Sequence, residues 1–558
     1  MDGKLAQPGA IDSQTVAFSR GSVSFLNRKQ SVIQAWVLPI GTITLFLCLK
    51  FLFIRNMGRV NELHHLPLSR NFVEPSWLAG DIYYSEPSGY RLLFQLIFGP
   101  LTTAVGFLAT SIIGRIFGYL AIAVGLWTLS RRLGIRLITL LVAIGLFVYV
   151  RRPQGVMAGE WLMGSVEPKV FAYSAVFMAL SAAFVGRYLW MTGWLGIAAS
   201  FHALVGGWSS IVRLLLLVVR RRDVLLDGRR WLAALAIYGI TSVFALTAVL
   251  TQVLSPVEES RVLPSYIYSF LRNPHHVNPM AWPLDEWLLL VAYLVVFGGS
   301  VFYVLVKQDN SDVPGTEITQ HRADFVCFVL CSLILFGAGI LVAPLDSNGQ
   351  ILQYYPFRVG DLMLALGASL FLALALEKVL FRHRRGAIAI TLIILIGFGA
   401  EATRFYSYGM ALRDFPSEEQ GINPEMKSLG LWIKQHVPEG ELVISPPVRL
   451  DPLAWLSERP AVAKFRFVPS ASSADVDAWY ERMSDLGGGI DLLSYVDRHS
   501  DARRQIRGAL SDAYDGLSTA QISDLMDKYQ SSYAVTAVSQ QLELPVLYEN
   551  ARYRLYTR

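Results

Sequence analysis

Acidic, basic and imidazole side chains recur in the polar segments that separate the long apolar runs of this sequence. One of them, Asp81, lies among aromatic residues in the segment 77–84 (WLAGDIYY). A carboxylate in this setting can accept a proton from a hydroxyl as a general base, or hold a divalent ion, while sugar rings stack on the aromatic faces. A carboxylate in a water-exposed loop can also be simply solvated, so the residue types alone leave both interpretations open.

A second group of charged residues, in the segment 160–169, precedes a predicted apolar helix. Pro168 suits the first turn of that helix, and Glu167 is favourable at its positive end, which is a purely structural interpretation. Lys169 differs, because a lysine that enters a membrane must reach the surface, pair with an acid or bind a ligand. Glu160, Glu167 and Lys169 are therefore predicted to line a polar cavity at the external face.

Arg272, His275 and His276 lie in a proline-bounded segment, 272–279 (RNPHHVNP). Adjacent imidazoles can bind phosphate when protonated, bind a metal ion or transfer protons. We expect an extended segment, in which neighbouring side chains point to opposite sides, so that two histidines could not share one metal ion. Contact with a phosphate or substrate is the better functional interpretation, and a structural loop is the alternative.

Two further polar residues lie at or inside apolar runs. Arg358 begins a late helix, and its guanidinium offers fixed donors to the oxygens of a lipid-linked phosphate. The alternatives for Arg358 are an interfacial anchor or an ion pair with Asp361, three residues on. His202 lies near a predicted turn between two short helices, where it either serves function or bonds one packed helix to another.

The composition indicates that most of the chain uses lipid as its solvent. Of 558 residues, 53% are hydrophobic and 16% are charged, whereas soluble proteins carry about 25% charged residues. The net charge of +6 comes from clusters between apolar runs, which fits the positive-inside rule and predicts no nucleic-acid partner. The three cysteines all fall in apolar stretches, which argues against a disulfide framework or a zinc ribbon.

These runs predict a polytopic α-helical membrane protein with about eleven transmembrane helices. Residues 1–30 form a cytoplasmic segment, and residues 31–404 form the transmembrane domain. Its large first external loop, 55–107, ends in an amphipathic or interfacial helix over 90–106. Residues 405–558 are predicted to be a soluble extracytoplasmic α/β domain, with strands near 441–445, 461–467, 533–537 and 553–557 and helices near 474–486 and 519–529.

Together, Asp81 in the first external loop, the many spans, the P-x-R element that ends in Arg358 and the trailing α/β domain resemble the GT-C superfamily of membrane glycosyltransferases. In that superfamily the first external loop carries an essential Asp or Glu, and the resemblance implies this role for Asp81. It also implies a polyprenyl-phosphate sugar donor and a tail that assists acceptor binding or covers the site. Many members have paired acids in this loop, whereas the nearest carboxylates to Asp81 are Glu74 and Glu86.

The resulting hypothesis is a glycosyltransferase of the inner (plasma) membrane, with its N-terminus in the cytoplasm. It would transfer a sugar from a polyprenyl-phosphate lipid to an extracytoplasmic glycan, lipid or protein acceptor. Asp81 would be the general base. A divalent metal is compatible with the reaction, although no ligand spacing indicates one. A transporter or flippase and a non-catalytic envelope scaffold are the alternatives. The residues predicted to bind the donor phosphate or substrate are Lys169, Arg272, His275, His276 and Arg358, together with Glu167 and His202.

Overall fold

A computed structural model describes residues 33–53, 61–84, 91–151, 154–220, 228–254, 260–306, 315–380, 383–413, 422–469 and 472–558. Within these ranges a bundle of apolar helices is followed by a smaller C-terminal domain that contains a β-sheet. Seven helices of the described part are long and apolar enough to cross a membrane, or eight if one pair bent by 79° counts as a single span. The chain is therefore a polytopic α-helical membrane protein.

Some helices of the bundle follow one another directly, whereas others are joined by long connections. The predicted division of the apolar stretch after residue 188 into two short helices is confirmed, because a break at His202 separates them. The predicted total of eleven spans additionally requires the shorter helices to cross, and it stays a prediction. The bundle helices are Leu38–Phe51, which follows a π-helical turn Ile33–Val37, then Leu92–Arg132, Leu137–Tyr149, Pro168–Phe184, Tyr188–Phe201, Ala203–Arg220, Gly228–Thr241, Val243–Leu254, Leu284–Leu305, Thr316–Val342, Arg358–Leu380 and Arg384–Arg413.

The helix Arg358–Leu380 is the centre of the bundle. In its apolar stretch 83% of the residues are buried, against 11% to 39% in the other long apolar helices. Neighbouring helices therefore surround this helix. Its first residue, Arg358, lies where several connecting segments meet. Short helices fill those segments: Glu62–Val73, Pro264–Tyr266, Ile267–Arg272, Pro274–Val277, Pro279–Ala281 and Leu352–Tyr354.

The first connecting segment contains the helix that was predicted over 90–106. The helix Leu92–Arg132 is broken at Gly106, whose φ of +78° is a conformation that glycine adopts without steric cost. The part before the break packs against the helix Glu62–Val73, and Gly99 lies so close to the backbone of Ser69 that a side chain there would clash. The described part of the first connection thus contains two helices packed against each other.

The strands of the C-terminal domain are β1 (Val443–Ile444), β2 (Tyr533–Ala537), β3 (Val546–Glu549) and β4 (Tyr553–Thr557). They form a four-stranded mixed sheet in the order β1-β2-β4-β3. Strands β1 and β2 are parallel, whereas β4 is antiparallel to both β2 and β3. The helices are Pro424–His436, Leu453–Ser457, Ser473–Leu486, Arg503–Asp515 and Thr519–Lys528.

One predicted strand of this domain is wrong. The segment 461–467 makes only an isolated bridge with β1, between Ala461 and Val443. The chain turns there around the buried Lys464 ammonium, which donates hydrogen bonds to Ser445 Oγ at 2.8 Å and to the Pro446 carbonyl at 2.7 Å. The sequence prediction had also missed the helix Arg503–Asp515 and the strand β3.

Polar contacts hold the C-terminal domain against the connections of the bundle. The Asp477 carboxylate accepts hydrogen bonds from the backbone N–H groups of Arg261 and Val262, at 2.7 and 2.9 Å. Arg498 donates to the Ala343 carbonyl at 3.0 Å, and Arg272 donates to the Arg466 carbonyl. A cavity lies between the connections of the bundle and the domain that these contacts hold together.

Candidate functional site

A cavity of about 900 Å³ lies between the bundle connections and the C-terminal domain. All seven side chains that the sequence predicts for phosphate or substrate binding line it, although they come from four separate connections of the chain. These residues are Glu167, Lys169, His202, Arg272, His275, His276 and Arg358.

Arg358 lines the cavity and contacts three side chains. Its Nε is 3.2 Å from Glu160 Oε2, and its Nη1 is 2.7 Å from His202 Nε2. The guanidinium carbon also lies 4.4 Å from the centre of the Tyr355 ring, in a cation–π contact. These contacts hold the guanidinium in one orientation.

The alternative ion pair between Arg358 and Asp361 is wrong. The Asp361 carboxylate instead accepts hydrogen bonds from the backbone N–H groups of Met157, Ala158 and Glu160, at 2.7, 3.0 and 3.2 Å. Those donors belong to the connection that carries Glu160. Asp361 therefore fixes the segment from which Glu160 reaches Arg358.

Lys169 and two carboxylates continue the charged wall from Arg358. Lys169 Nζ is 3.2 Å from Glu160 Oε1 and 3.3 Å from Glu167 Oε2. Burial opposes ionisation of Glu160, but Arg358 and Lys169 together lower the pKa of this carboxyl below its ordinary value. Ser165 hydrogen-bonds to Glu167. The prediction that Glu160, Glu167 and Lys169 share a polar cavity agrees with this arrangement.

The adjacent histidines do not point in opposite directions, as an extended segment would require. Pro274 begins the short helix Pro274–Val277, and the ring centres of His275 and His276 are only 3.8 Å apart. His276 Nδ1 lies 2.6 Å from the Ala158 carbonyl oxygen. The predicted extended conformation is therefore wrong, and both imidazoles face the same cavity.

The cavity also changes how these histidines can contact a phosphate. Burial lowers the pKa of His276 to about 4, because it outweighs the hydrogen bond to Ala158 and the attraction of Glu160, while Arg358 and Lys169 lower the pKa further. Burial likewise lowers the pKa of His275. At neutral pH both rings are uncharged, so they can donate a hydrogen bond but do not add positive charge.

We expect mild acidification to lower the stability of the protein, because His276 becomes protonated more readily in the unfolded chain than in the folded protein. Its pKa is lower in the folded protein than the unfolded value of about 6.5. The unfolded chain therefore takes up a proton first, and the stabilisation, complete above about pH 6.5, is lost progressively as the pH falls toward 4. In thermal unfolding in detergent between pH 7.5 and 4.5, His276→Gln should lose less stability than the wild type. Parallel profiles would contradict this prediction.

Asp81 does not line the cavity. The residue is 4% exposed, and its carboxylate accepts three backbone hydrogen bonds, from Tyr83, Tyr84 and Ala461, each at 3.0 Å. Burial raises the pKa of Asp81, while the three hydrogen bonds oppose the rise. The hydrogen bonds of Asp81 thus join the first connection to the C-terminal domain. This position does not support the predicted role of Asp81 as general base.

Replacing Asp81 with alanine should therefore weaken the fold rather than the chemistry. The change removes the acceptor for three buried N–H groups, and a buried donor left unsatisfied costs about 1–3 kcal/mol. Thermal unfolding should shift to lower temperature, whereas the surface variant Asp527→Ala should unfold like the wild type. If Asp81→Ala retained full stability but lost ligand binding, a direct role in the site would be restored.

Sequence reasoning missed several residues of the cavity. His64 and His65 repeat the adjacent-histidine pattern of residues 275–276 and could have been found by it. Arg466 lies in the segment that was predicted to be a strand, and its Nε is 3.2 Å from His64 Nε2. The arginines at the start of the helix Arg503–Asp515 were missed because that helix was not predicted. The cavity residues in question are His64, His65, Tyr83, Arg91, Asp451, Arg466, Asp501, Arg503, Arg504 and Arg507.

Metal binding was left open by the sequence. Within the described ranges, no group of three or more His, Cys, Asp or Glu side chains is placed to hold a metal ion.

Comparison with known proteins gives a family model for a small part of the chain and solved structures for most of it. Residues 424–486 match a family model described as a domain of unknown function, DUF6798. No curated protein sequence matches the chain significantly.

Two solved structures are similar over most of the chain. ArnT from Cupriavidus metallidurans, crystallised with undecaprenyl phosphate, aligns over 93% of this chain and 97% of its own, with 12% identity and a TM-score of 0.49. The apo oligosaccharyltransferase from Archaeoglobus fulgidus aligns over 86% of this chain and 58% of its own, with 14% identity and a TM-score of 0.26. At these TM-scores and identities neither likeness carries an argument about this protein, so the case for a reaction depends on the cavity.

Proposed function

We propose that this protein is a membrane glycosyltransferase that transfers a sugar from a polyprenyl-phosphate lipid to an acceptor on the side of the C-terminal domain. The observation that carries the proposal is the charged wall of the cavity, where Arg358 and Lys169 flank Glu160 at 3.2 Å each. Two fixed cations around one exchangeable anion form a site for a phosphate group.

The donor phosphate would take the place of the Glu160 carboxylate between the two cations. In the reaction, an acceptor oxygen forms a bond to the anomeric carbon while the bond from that carbon to the phosphate oxygen breaks, with inversion. Polyprenyl phosphate leaves with one more negative charge than it had in the donor. Arg358 and Lys169 stabilise this developing charge, as preorganised cations do in a water-poor site.

The same exchange supplies a general base. While Arg358 and Lys169 hold Glu160, its lowered pKa makes the carboxylate a weak base. Once phosphate displaces it, the pKa rises, because the two cations no longer favour the ionised form. Glu160 can then accept the acceptor hydroxyl proton, the role that the sequence had suggested for Asp81. Donor binding and base activation are in this way a single event.

A transfer assay tests the proposal. Protein in nanodiscs is incubated with polyprenyl-phosphate sugars labelled in the sugar and with an extract of envelope acceptors, and the label is followed out of the polyprenyl lipid. We expect label in an acceptor product for the wild type and for Asp527→Ala, and little for Glu160→Gln. Full transfer by Glu160→Gln would remove Glu160 from its role.

The alternatives give different results in the same assay. A flippase would leave all of the label on the polyprenyl lipid and change the leaflet in which the lipid is found. A scaffold would neither bind nor alter the lipid, and it does not require distant polar residues to meet in one cavity. The convergence of seven predicted side chains favours the transferase over the scaffold.

A further inference from the structure

The cavity carries much more positive charge than one phosphate group requires. Eight Lys or Arg side chains line it, against four carboxylates. Arg358 and Lys169, at the proposed donor site, form ion pairs with Glu160 and Glu167. Most of the remaining cations come from the C-terminal domain and form what we call the arginine cluster: Arg466, Arg503, Arg504 and Arg507.

The arginine cluster lines the same cavity as the two histidines, and its Arg466 Nε is 3.2 Å from His64 Nε2. Arg503 is close enough to His275 and Arg272 to lower the pKa of each. The ring centres of His275 and His276 are 3.8 Å apart with the rings tilted by 36°, and Glu160 and Arg358 both influence the pKa of His276. The proposed donor site and the arginine cluster therefore adjoin the same pair of imidazoles within one cavity.

The helix Arg503–Asp515 places its arginines where they are electrostatically unfavourable. Arg503, Arg504 and Arg507 occupy its first turns, at the positive end of the helix dipole, and the first and last form a like-charged i,i+4 pair. Asp501 neutralises Arg503, with its Oδ1 2.7 Å from Nε. Within the described residues, Arg504 and Arg507 have no carboxylate within ion-pair distance. Apart from the electrostatic attraction between Asp501 and Arg504, this positive charge is unbalanced, and it favours a bound anion.

Two residues that line the cavity carry unsatisfied polar atoms. Nδ1 of His275 and Oδ1 of Asp451 are buried and have no hydrogen-bond partner in the described part of the chain. Asp451 is also 3.8 Å from Arg466. Arg272, buried beside the cluster, keeps its charge at neutral pH, because burial and Arg466 lower its pKa only to about 10. Together these groups offer guanidinium forks and hydrogen-bonding positions to an acidic, hydroxyl-bearing ligand.

We propose that the arginine cluster is a binding site for an acidic saccharide, a sugar chain that carries phosphate or carboxylate groups, and that this saccharide is the acceptor. The identification as acceptor depends on the proposed transferase function, whereas the binding site itself does not. The C-terminal domain would thus select the acceptor by its charge, while the bundle holds the donor.

The experiment measures binding to the full-length protein in nanodiscs of neutral lipid. The probes are a phosphorylated oligosaccharide, an oligogalacturonate and a neutral dextrin of equal length, and undecaprenyl phosphate is measured separately. We expect both or one of the acidic probes to bind and the dextrin to bind at least tenfold more weakly. The acidic probe that binds more tightly identifies phosphate or carboxylate as the recognised group.

Two pairs of substitutions make the result specific. Arg504→Gln with Arg507→Gln should weaken acidic-probe binding at least tenfold and reduce its dependence on salt, because fewer ions are exchanged. Arg552→Gln with Arg558→Gln removes the same charge from the surface of the same domain, outside the cavity, and should bind as the wild type does. Equal binding of acidic and neutral probes, or undiminished binding by the Arg504/Arg507 variant, would overturn the inference.

Undecaprenyl phosphate separates this inference from the proposed function. Its binding should be lost in Arg358→Gln and kept in the Arg504/Arg507 variant. If binding of the acidic probes requires the arginine cluster but neither the wild type nor any variant binds undecaprenyl phosphate, the saccharide site stands and the transferase proposal fails. The reverse pattern leaves the transferase proposal standing and removes the acidic acceptor.

Discussion

Arg358→Gln is expected to lower sugar transfer on the order of 100-fold, the usual effect of losing one preorganised donor to a developing charge. Glutamine keeps part of the side-chain length but removes the charge and the guanidinium fork that would face the phosphate. The fold should survive, since Glu160 keeps Lys169 at 3.2 Å as a partner. Initial rates of label transfer, together with the binding of undecaprenyl phosphate, measure the effect.

The matched control is Arg136→Gln. Arg136 is 81% exposed at its side chain and 3.6 Å from Glu377, away from the residues that line the cavity. This variant also loses one positive charge from the bundle, so it should bind lipid and transfer sugar as the wild type does. Arg358→Gln with wild-type rates would show that the phosphate binds elsewhere.

Glu62→Gln is expected to cost about 3–5 kcal/mol of stability, because it leaves the buried Arg115 without its charged partner. The Glu62 carboxylate accepts hydrogen bonds from Arg115 Nε and Nη2, both at 2.7 Å. It also accepts from Ser111 Oγ at 2.7 Å and from the Val166 backbone N–H at 2.6 Å. One carboxylate thus joins the first connection, a bundle helix and the segment that leads to Glu167.

The stability of this variant can be followed by thermal unfolding in detergent and by the temperature at which the protein aggregates. Glu74→Gln is the comparison, because Glu74 is partly exposed and pairs with Arg70 only one helical turn away, at 2.9 Å. Such a pair contributes at most about 1 kcal/mol. Equal melting temperatures for the two variants would show that the buried network is not what holds the connections together.

The sequence predicts site residues well where a charged or polar side chain is costly to bury. Arg358, Lys169 and His202 stand out because a charged or polar side chain next to lipid needs a partner, and the cavity supplies one for each. Arg272 and the adjacent histidines were predicted from residue type within a proline-bounded loop. These inferences need no knowledge of which connections meet in space.

The sequence predictions fail where contacts between distant parts of the chain determine the position or conformation of a residue. Asp81 has the residue type of a base, but its partner Ala461 is 380 positions away along the chain, and no local pattern reveals that pairing. Pro274 reads equally as the end of an extended segment or the first turn of a helix, and the helix brings His275 and His276 together. The helix Arg503–Asp515 begins with unfavourable charges, so its local pattern argued against it.

The proposed function depends most directly on where the lipid phosphate binds. A high-resolution cryo-EM structure of the full-length protein in nanodiscs with undecaprenyl phosphate would locate it. We predict phosphate density between Arg358 and Lys169, with the Glu160 side chain moved away from both. Density for the phosphate at another site, with the Arg358, Glu160 and Lys169 contacts unchanged, would contradict the proposed donor site.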